Sequence, residues 1–316
     1  MNAGNFVPAV EDTWFLLSQV EDTSGLLALP AFAHTDAETA RAALDAASDF
    51  TRELVVPLGP AGDAEGCRLE DGRVRTPRGF PEAYRAWSAA GWPGFDLPLE
   101  AGGQSLPLCV QVALAEMVNG ASVAFGMLAL QQRSAAHLLI GHADPALRER
   151  ILPRLLAGDW VATICITEPE AGSDVGRIRT LAVPQDDGSY ALSGSKMFIT
   201  FGDSDCAERT VHLALARTPG APAGTPGISL FALPSRRFAD DAPNGITVLR
   251  IEHKMGLRAS PTCALALEHA IGHRIGAEGQ GLKCLFTMMN LMRLEVAVQG
   301  VALAEAATQR ALAYAA

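Results

Sequence analysis

None of the six cysteines stands in a CxxC pair. Cys67, Cys109, Cys165, Cys206, Cys263 and Cys284 are scattered, which excludes a zinc ribbon or a thioredoxin-like redox motif. They read as free thiols in a reducing, cytoplasmic setting. No uninterrupted apolar run reaches the roughly 18 residues of a membrane span. The first residues, "MNAGNFVPAVEDTWF", lack the basic segment followed by an apolar one that marks a secretory signal. Positive charge is in the minority: 25 Lys and Arg against 35 Asp and Glu, a formal charge of −10. That balance argues against bulk binding of nucleic acid or an anionic membrane, and leaves room for a local basic pocket. Charged residues make up only 19% and apolar residues 49%, which excludes a disordered chain and suits a large globular core.

What is there changes character twice. The first part reads as helices. "DAETARAALDAASDFTRELVVPL" has apolar residues at helical spacing with Asp36 as N-cap. "PEAYRAWSAAGW" ends at Gly91. "PLCVQVALAEMVNGASVAFGMLALQQRSAAHLLIGHA" reads as two helices broken near Asn119-Gly120, and "PALRERILPRLLAGDW" runs from Pro145 to Gly158. From Trp160 the segments are short, β-prone and split by Gly, Pro and Asp, which fits an antiparallel sandwich or barrel. After Gly279 one long helix runs to the end, apolar over most of its surface, as in a bundle. The expected fold class is therefore α+β. A helical domain (1–159) precedes a β domain (160–275), and 276–316 form the first helix of a C-terminal bundle. So much apolar surface on that last helix calls for a cover, from another chain or from more of this one.

Directly after the apolar "WVATICI" comes "TEPEAGSDVG", residues 167–176, too polar and flexible for a plain turn. Taken alone it is also consistent with a hairpin loop with capping hydroxyls. The segment "ITEPEAGSDVGRIRTLAV", then "YALSGSKMFIT", "IEHKMGLRASPTCAL" and "MMNLMRLEVAVQGVALAEA", in that order, resembles the acyl-CoA dehydrogenase superfamily of flavoproteins over nearly the whole chain. The similarity is greatest to its long-form branch, which includes methylthiopropanoyl-CoA dehydrogenases. The resemblance implies FAD as cofactor, an acyl-CoA substrate and electron-transfer flavoprotein as acceptor. It also implies a homo-oligomer in a full-length form, or a partner chain completing the helical domain. It places Ile164, Ile166, Thr167, Gly172 and Ser173 at cofactor contacts, with Ser173 also near the acyl-CoA phosphates. A glycine-containing loop suits pyrophosphate because its backbone N–H groups can approach closely. Phe198 stands where tryptophan is commoner in the family, next to Ile199, and Thr200 keeps the hydroxyl expected at flavin N5. Without the resemblance "KMFIT" is a core strand with a buried aromatic.

The resemblance puts Asn290 and Arg293 at substrate-binding positions; otherwise Arg293 reads as half of a structural ion pair, with Glu295 or with an acid from elsewhere in the chain. Met127, Leu128, Leu130, Met288 and Met289 are candidates for the acyl pocket or plain core. His269 and His273 read as a strand end and turn rather than metal ligands, and His137 and His142 as structural. The family's chemistry needs a carboxylate at the substrate α-carbon. A minority of the family carries it just before the arginine, where this chain has Met292. No catalytic residue is identified, and Glu295 is a weak candidate. The reading is an FAD-dependent dehydrogenation of an acyl-CoA to the trans-2-enoyl-CoA, in a truncated or split form. An acyl-CoA oxidase, or a non-catalytic flavin- and CoA-binding subunit, is the alternative.

Overall fold

The computed structural model describes residues 6–316. The helical part comprises α1 (Val10–Phe15), α2 (Thr23–Leu27), α3 (Ala37–Phe50) and α4 (Leu58–Glu65), then, beyond a small hairpin, α5 (Phe80–Ala89), α6 (Leu108–Ala121), α7 (Val123–His142) and α8 (Pro145–Ala157). The hairpin, β1 (Arg68–Glu70) with β2 (Arg73–Arg75), lies in a stretch where the sequence announced no strand. Local chemistry sets several boundaries. The Asp36 carboxylate accepts Thr39 N–H at 2.8 Å, and Asp144 accepts Leu147 N–H at 2.9 Å ahead of Pro145. Both satisfy amides that have no partner inside the helix. Gly158, at φ +79°, ends α8 in the left-handed region.

The break expected at Asn119-Gly120 lies two residues later. Ser122 is extended, and its hydroxyl accepts Phe125 N–H at 3.4 Å as an N-cap. Gly120 stays helical, and it is a glycine that fits there, because the Phe6 ring lies 2.4 Å from where a Cβ would sit.

The β part holds β3 (Trp160–Cys165), β4 (Leu181–Pro184), β5 (Tyr190–Thr200), β6 (Arg209–Arg217), β7 (Ile228–Pro234), β8 (Ile246–Ile251) and β9 (Thr262–Ile275). Strands β6, β4, β5, β9 and β7 pair in sequence, and β7 pairs back to β6, which closes a barrel. Closure covers the edges of these five strands, while β3 and β8 each keep a single neighbour. The sheet is not wholly antiparallel: β3 runs parallel to β6, because the long 166–180 crossing returns the chain to the other end. His269 and His273 both lie within β9 rather than at its end, and His273 stacks on Phe238 at 5.3 Å.

Helix α9 (Gly281–Ala315) packs against α6, α7 and β7. Leu285, Met288, Val298 and Ala302 are buried, while Leu294, Val296, Val301 and Leu303 are exposed. The apolar cover predicted for this helix is therefore half present. Among the described residues no helix is long and apolar enough to cross a membrane.

Candidate functional site

The site candidates gather where β3 and β5 leave the barrel side by side. Met197 N–H donates to Thr167 O at 2.9 Å, and the Thr163 hydroxyl donates to Thr200 O at 2.6 Å. These two bonds bring "ITE" and "FIT" onto one rim. Ile164 and Ile166 are half-buried and flank an apolar cluster that Met288, Met289 and Met292 of α9 also enter. Thr167 and Thr200 are half-buried. Gly172 and Ser173 are exposed on the loop. A Cβ on Gly172 would meet no protein atom within 4 Å, so any need for glycine there comes from what the loop binds. Ile199 is buried in the barrel core and can offer only its backbone.

Phe198 departs from a core strand. Its φ is +59°, it sits in the β5/β9 register shift between Lys196 and Ile199, and it is 58% exposed. A bulky side chain in the left-handed region on a bulge is strained, and a protein keeps such strain where the local geometry is used. The preceding residue, Met197, is the one bonded to Thr167 O, so Phe198 is exposed next to that rim. An exposed aromatic wall, two hydroxyls and an unobstructed glycine loop fit the flat, polar-edged ring and the pyrophosphate of a flavin.

Replacing Phe198 with glycine relieves the left-handed strain and removes the exposed ring. The expected result is an apo-protein of unchanged stability or one raised by up to about 1 kcal/mol, with weaker FAD uptake. Thermal unfolding and FAD titration of the same preparation check it.

On α9 the arrangement differs from the expectation. Arg293 is exposed, bonds Asn290 Oδ1 at 3.2 Å and lies over the Phe286 ring at 5.1 Å. It is neither buried nor paired with Glu295, because one helical turn does not carry residues 293 and 295 to the same side. Glu295 points inward to Arg133 Nη1 at 2.6 Å; their side chains are only 5% and 3% exposed. Arg133 also forks onto Asp96 at 2.7 and 2.5 Å, and His137 joins Asp96 at 3.2 Å. Burial would raise Asp96, but His137 and Arg133 outweigh it and hold the carboxyl well below its ordinary value. For Glu295 burial outweighs Arg133, so its carboxyl lies above the usual value. An acid so enclosed is part of a buried ion cluster rather than a base open to substrate. His142 bonds the Thr287 hydroxyl at 2.7 Å, a structural role, as expected.

Two residues of the rim escape a motif reading: Glu168 and Lys196. Lys196 is fully buried and donates to Glu168 Oε1 at 2.7 Å. A lysine inside an apolar strand, and an acid that opens the polar loop, were the available signals.

A helical layer on a closed barrel, with an aromatic-and-hydroxyl rim between them, is the architecture of flavin-dependent acyl-CoA dehydrogenases. A solved acyl-CoA dehydrogenase from Bacillus anthracis complexed with FAD shares the fold, with TM-score 0.69 and 23% identity over 83% of this chain and 41% of its own. A chain from the electron transferring flavoprotein structure of Acidaminococcus fermentans superposes with TM-score 0.72 at 26% identity, covering 85% of this chain and 66% of that one. The family model for the acyl-CoA dehydrogenase N-terminal domain matches residues 37–159, and that for the middle domain matches 163–270. This chain belongs to the acyl-CoA dehydrogenase family, whose members are FAD flavoproteins. It is 42% identical over 310 residues to 3-methylmercaptopropionyl-CoA dehydrogenase of Ruegeria pomeroyi, covering 97% of this chain and 53% of that protein. It spans about half the length of the curated relatives it matches.

Proposed function

We propose that this chain forms the flavin-facing half of an enzyme that oxidises an acyl-CoA thioester to the trans-2-enoyl-CoA, with a short thioether acyl chain such as methylthiopropanoyl as substrate. The observation that carries the reading is Phe198, strained and exposed on the rim beside Thr167 and Thr200. The FAD, when bound, accepts the hydride from the substrate β-carbon. The residues around it have separate tasks. Thr200 would hold the flavin through its hydroxyl, a donor of the kind that stabilises the charge of a reduced ring. Phe198 would shield the bound ring from water. Gly172 and Ser173 offer backbone and hydroxyl donors to phosphate, and the exposed Arg293 supplies a cation for the CoA end. Electrons leave to an electron-transfer flavoprotein. The thiols, none of them disulfide-bonded among the described residues, suit a cytoplasmic enzyme.

The reading expects no base at the α-carbon from either of the two positions weighed for it. Met292 cannot take a proton, and Glu295 is committed to Arg133. The exposed Leu294, Val296, Val301 and Leu303 favour a second reading of the same chain, as a subunit completed by a helical partner.

The visible spectrum of the purified chain, followed by anaerobic titration with methylthiopropanoyl-CoA, tests both readings. The expected result is bound flavin that shifts its spectrum on titration and does not bleach. Bleaching would overturn the expectation about the base, and a chain that takes up no FAD would overturn the flavin reading itself.

A further inference from the structure

We propose that Lys196 is a positioning residue that fixes the geometry of the flavin rim by tying three separate segments to one ammonium group. The proposal rests on the flavin reading above and adds to it the residue that holds the rim in shape.

The three acceptors come from two segments, the loop after β3 and strand β6, and Lys196 itself sits on a third, β5. Lys196 Nζ donates to Ile166 O at 3.1 Å, to Glu168 Oε1 at 2.7 Å and to Leu215 O at 2.7 Å. Ile166 and Glu168 bracket Thr167 in the loop after β3, and Leu215 lies on β6. Three donors meet three acceptors, so no buried proton of the ammonium is left unpaired. Glu168 is pinned in turn: the Thr180 hydroxyl donates to its Oε1 at 2.5 Å and Arg179 N–H to its Oε2 at 2.7 Å. Burial alone would raise the Glu168 carboxyl. Lys196, Thr180 and Arg179 outweigh it and keep the group ionised.

The consequence reaches the ring face through the backbone. Lys196 is anchored to Ile166 O, and the next residue, Met197, is anchored to Thr167 O. The two bonds lock consecutive residues of β5 against consecutive residues of the loop. The bulge then falls at Phe198, between Lys196 and Ile199 in the pairing with β9. The ring is turned outward while Ile199 goes into the core. A buried ion pair is a poor source of net stability compared with apolar residues of the same size. Its retention here is accounted for by the shape it imposes.

The double variant Lys196→Met with Glu168→Gln separates shape from stability. It removes both charges together, so no uncompensated ion is left buried. The proposal expects a chain that melts within a few degrees of the wild type, yet binds FAD about tenfold or more weakly. It also expects amide hydrogen exchange in 166–175 and 196–201 to speed up in the flavin-free chain. Unchanged FAD affinity and unchanged exchange would overturn it and leave the pair a structural ion pair. A wild-type chain that binds no FAD would instead bring down the flavin reading, and this inference with it. If the double variant does not fold, Thr180→Val removes one donor from Glu168 and leaves both charges in place. A drop in FAD affinity at near-constant melting temperature supports the proposal, and unchanged affinity overturns it.

Discussion

Arg133→Met is expected to lower the unfolding free energy by about 3–5 kcal/mol, the loss typical of removing one partner from a buried ion pair. Arg133 is the shared cation of two carboxylates, Asp96 and Glu295, with side chains 8% and 5% exposed. Without it both acids must be protonated or held apart at low dielectric, and Asp96 keeps the His137 ring at 3.2 Å as a hydrogen-bond partner. The cluster joins α7, the segment after α5 and α9, so its failure loosens the helical layer rather than the barrel. Trp87 and Trp92 line the small cavity that Arg133 and Glu295 also face, so near-ultraviolet circular dichroism through a urea titration reports the change. The triple variant Arg133→Met, Asp96→Asn, Glu295→Gln removes all three charges and should recover most of the loss. If it is as unstable as the single variant, packing rather than charge explains the effect.

The same cluster gives opposite pH signatures to its two acids. Asp96 has a folded value below its ordinary 3.8. Its contribution is complete above the unfolded value and is lost as pH falls through the acid range. Glu295 has a folded value above its ordinary 4.5. The folded chain holds that proton more tightly, so stability declines as pH rises from about 4.5 to the raised value and is flat beyond it. Glu295→Gln should remove that decline and leave the acid limb belonging to Asp96. Urea titrations of both proteins across pH 3–8 check it; an unaltered profile in the variant would mean that Glu295 holds its proton equally well in the folded and unfolded chain.

How far these features could be read beforehand depends on how local their physics is. The caps of α3 and α8 were legible because an aspartate three residues from its amide needs no tertiary information. The candidates on the rim could be proposed from a motif whose residues lie within two short segments. The contacts that hold them were not. Lys196 meets Glu168 across 28 positions, and Arg133 meets Glu295 across 162, and no periodicity encodes either pairing. Arg293 and Glu295 fail as partners for a local reason, since residues two apart on a helix point to different sides; which of the two turns inward is the part that is not local. Apolar residues ring α9, so its sequence does not say which side faces inward. The exposure of Phe198 was equally hidden, since a β-bulge shifts the inside–outside alternation by one residue only where the chain already pairs.

Gly281→Ala and Gly300→Ala, the same change twice on one helix, should have opposite signs. Gly281 opens α9 directly on β7. A Cβ there would lie 2.5 Å from the carbonyl carbon of Ser229, 2.7 Å from Leu230 N and 2.8 Å from Ile228 O. Those atoms belong to a strand paired on both sides, to β6 and β9, so they cannot yield as a flexible side chain would. The helix start must move instead, at a cost of about 1–3 kcal/mol or more. Movement there carries the turns bearing Met288, Asn290 and Arg293, so weaker acyl-CoA binding should accompany the loss. At Gly300 a Cβ would meet nothing within 4 Å. Alanine there should stabilise the helix by about 0.5–1 kcal/mol, through the smaller conformational entropy it loses on folding. Thermal unfolding of both variants decides the matter. If Gly281→Ala melts no lower than wild type, α9 is not seated on β7 as tightly as described, and the rim and the helix are free to move independently.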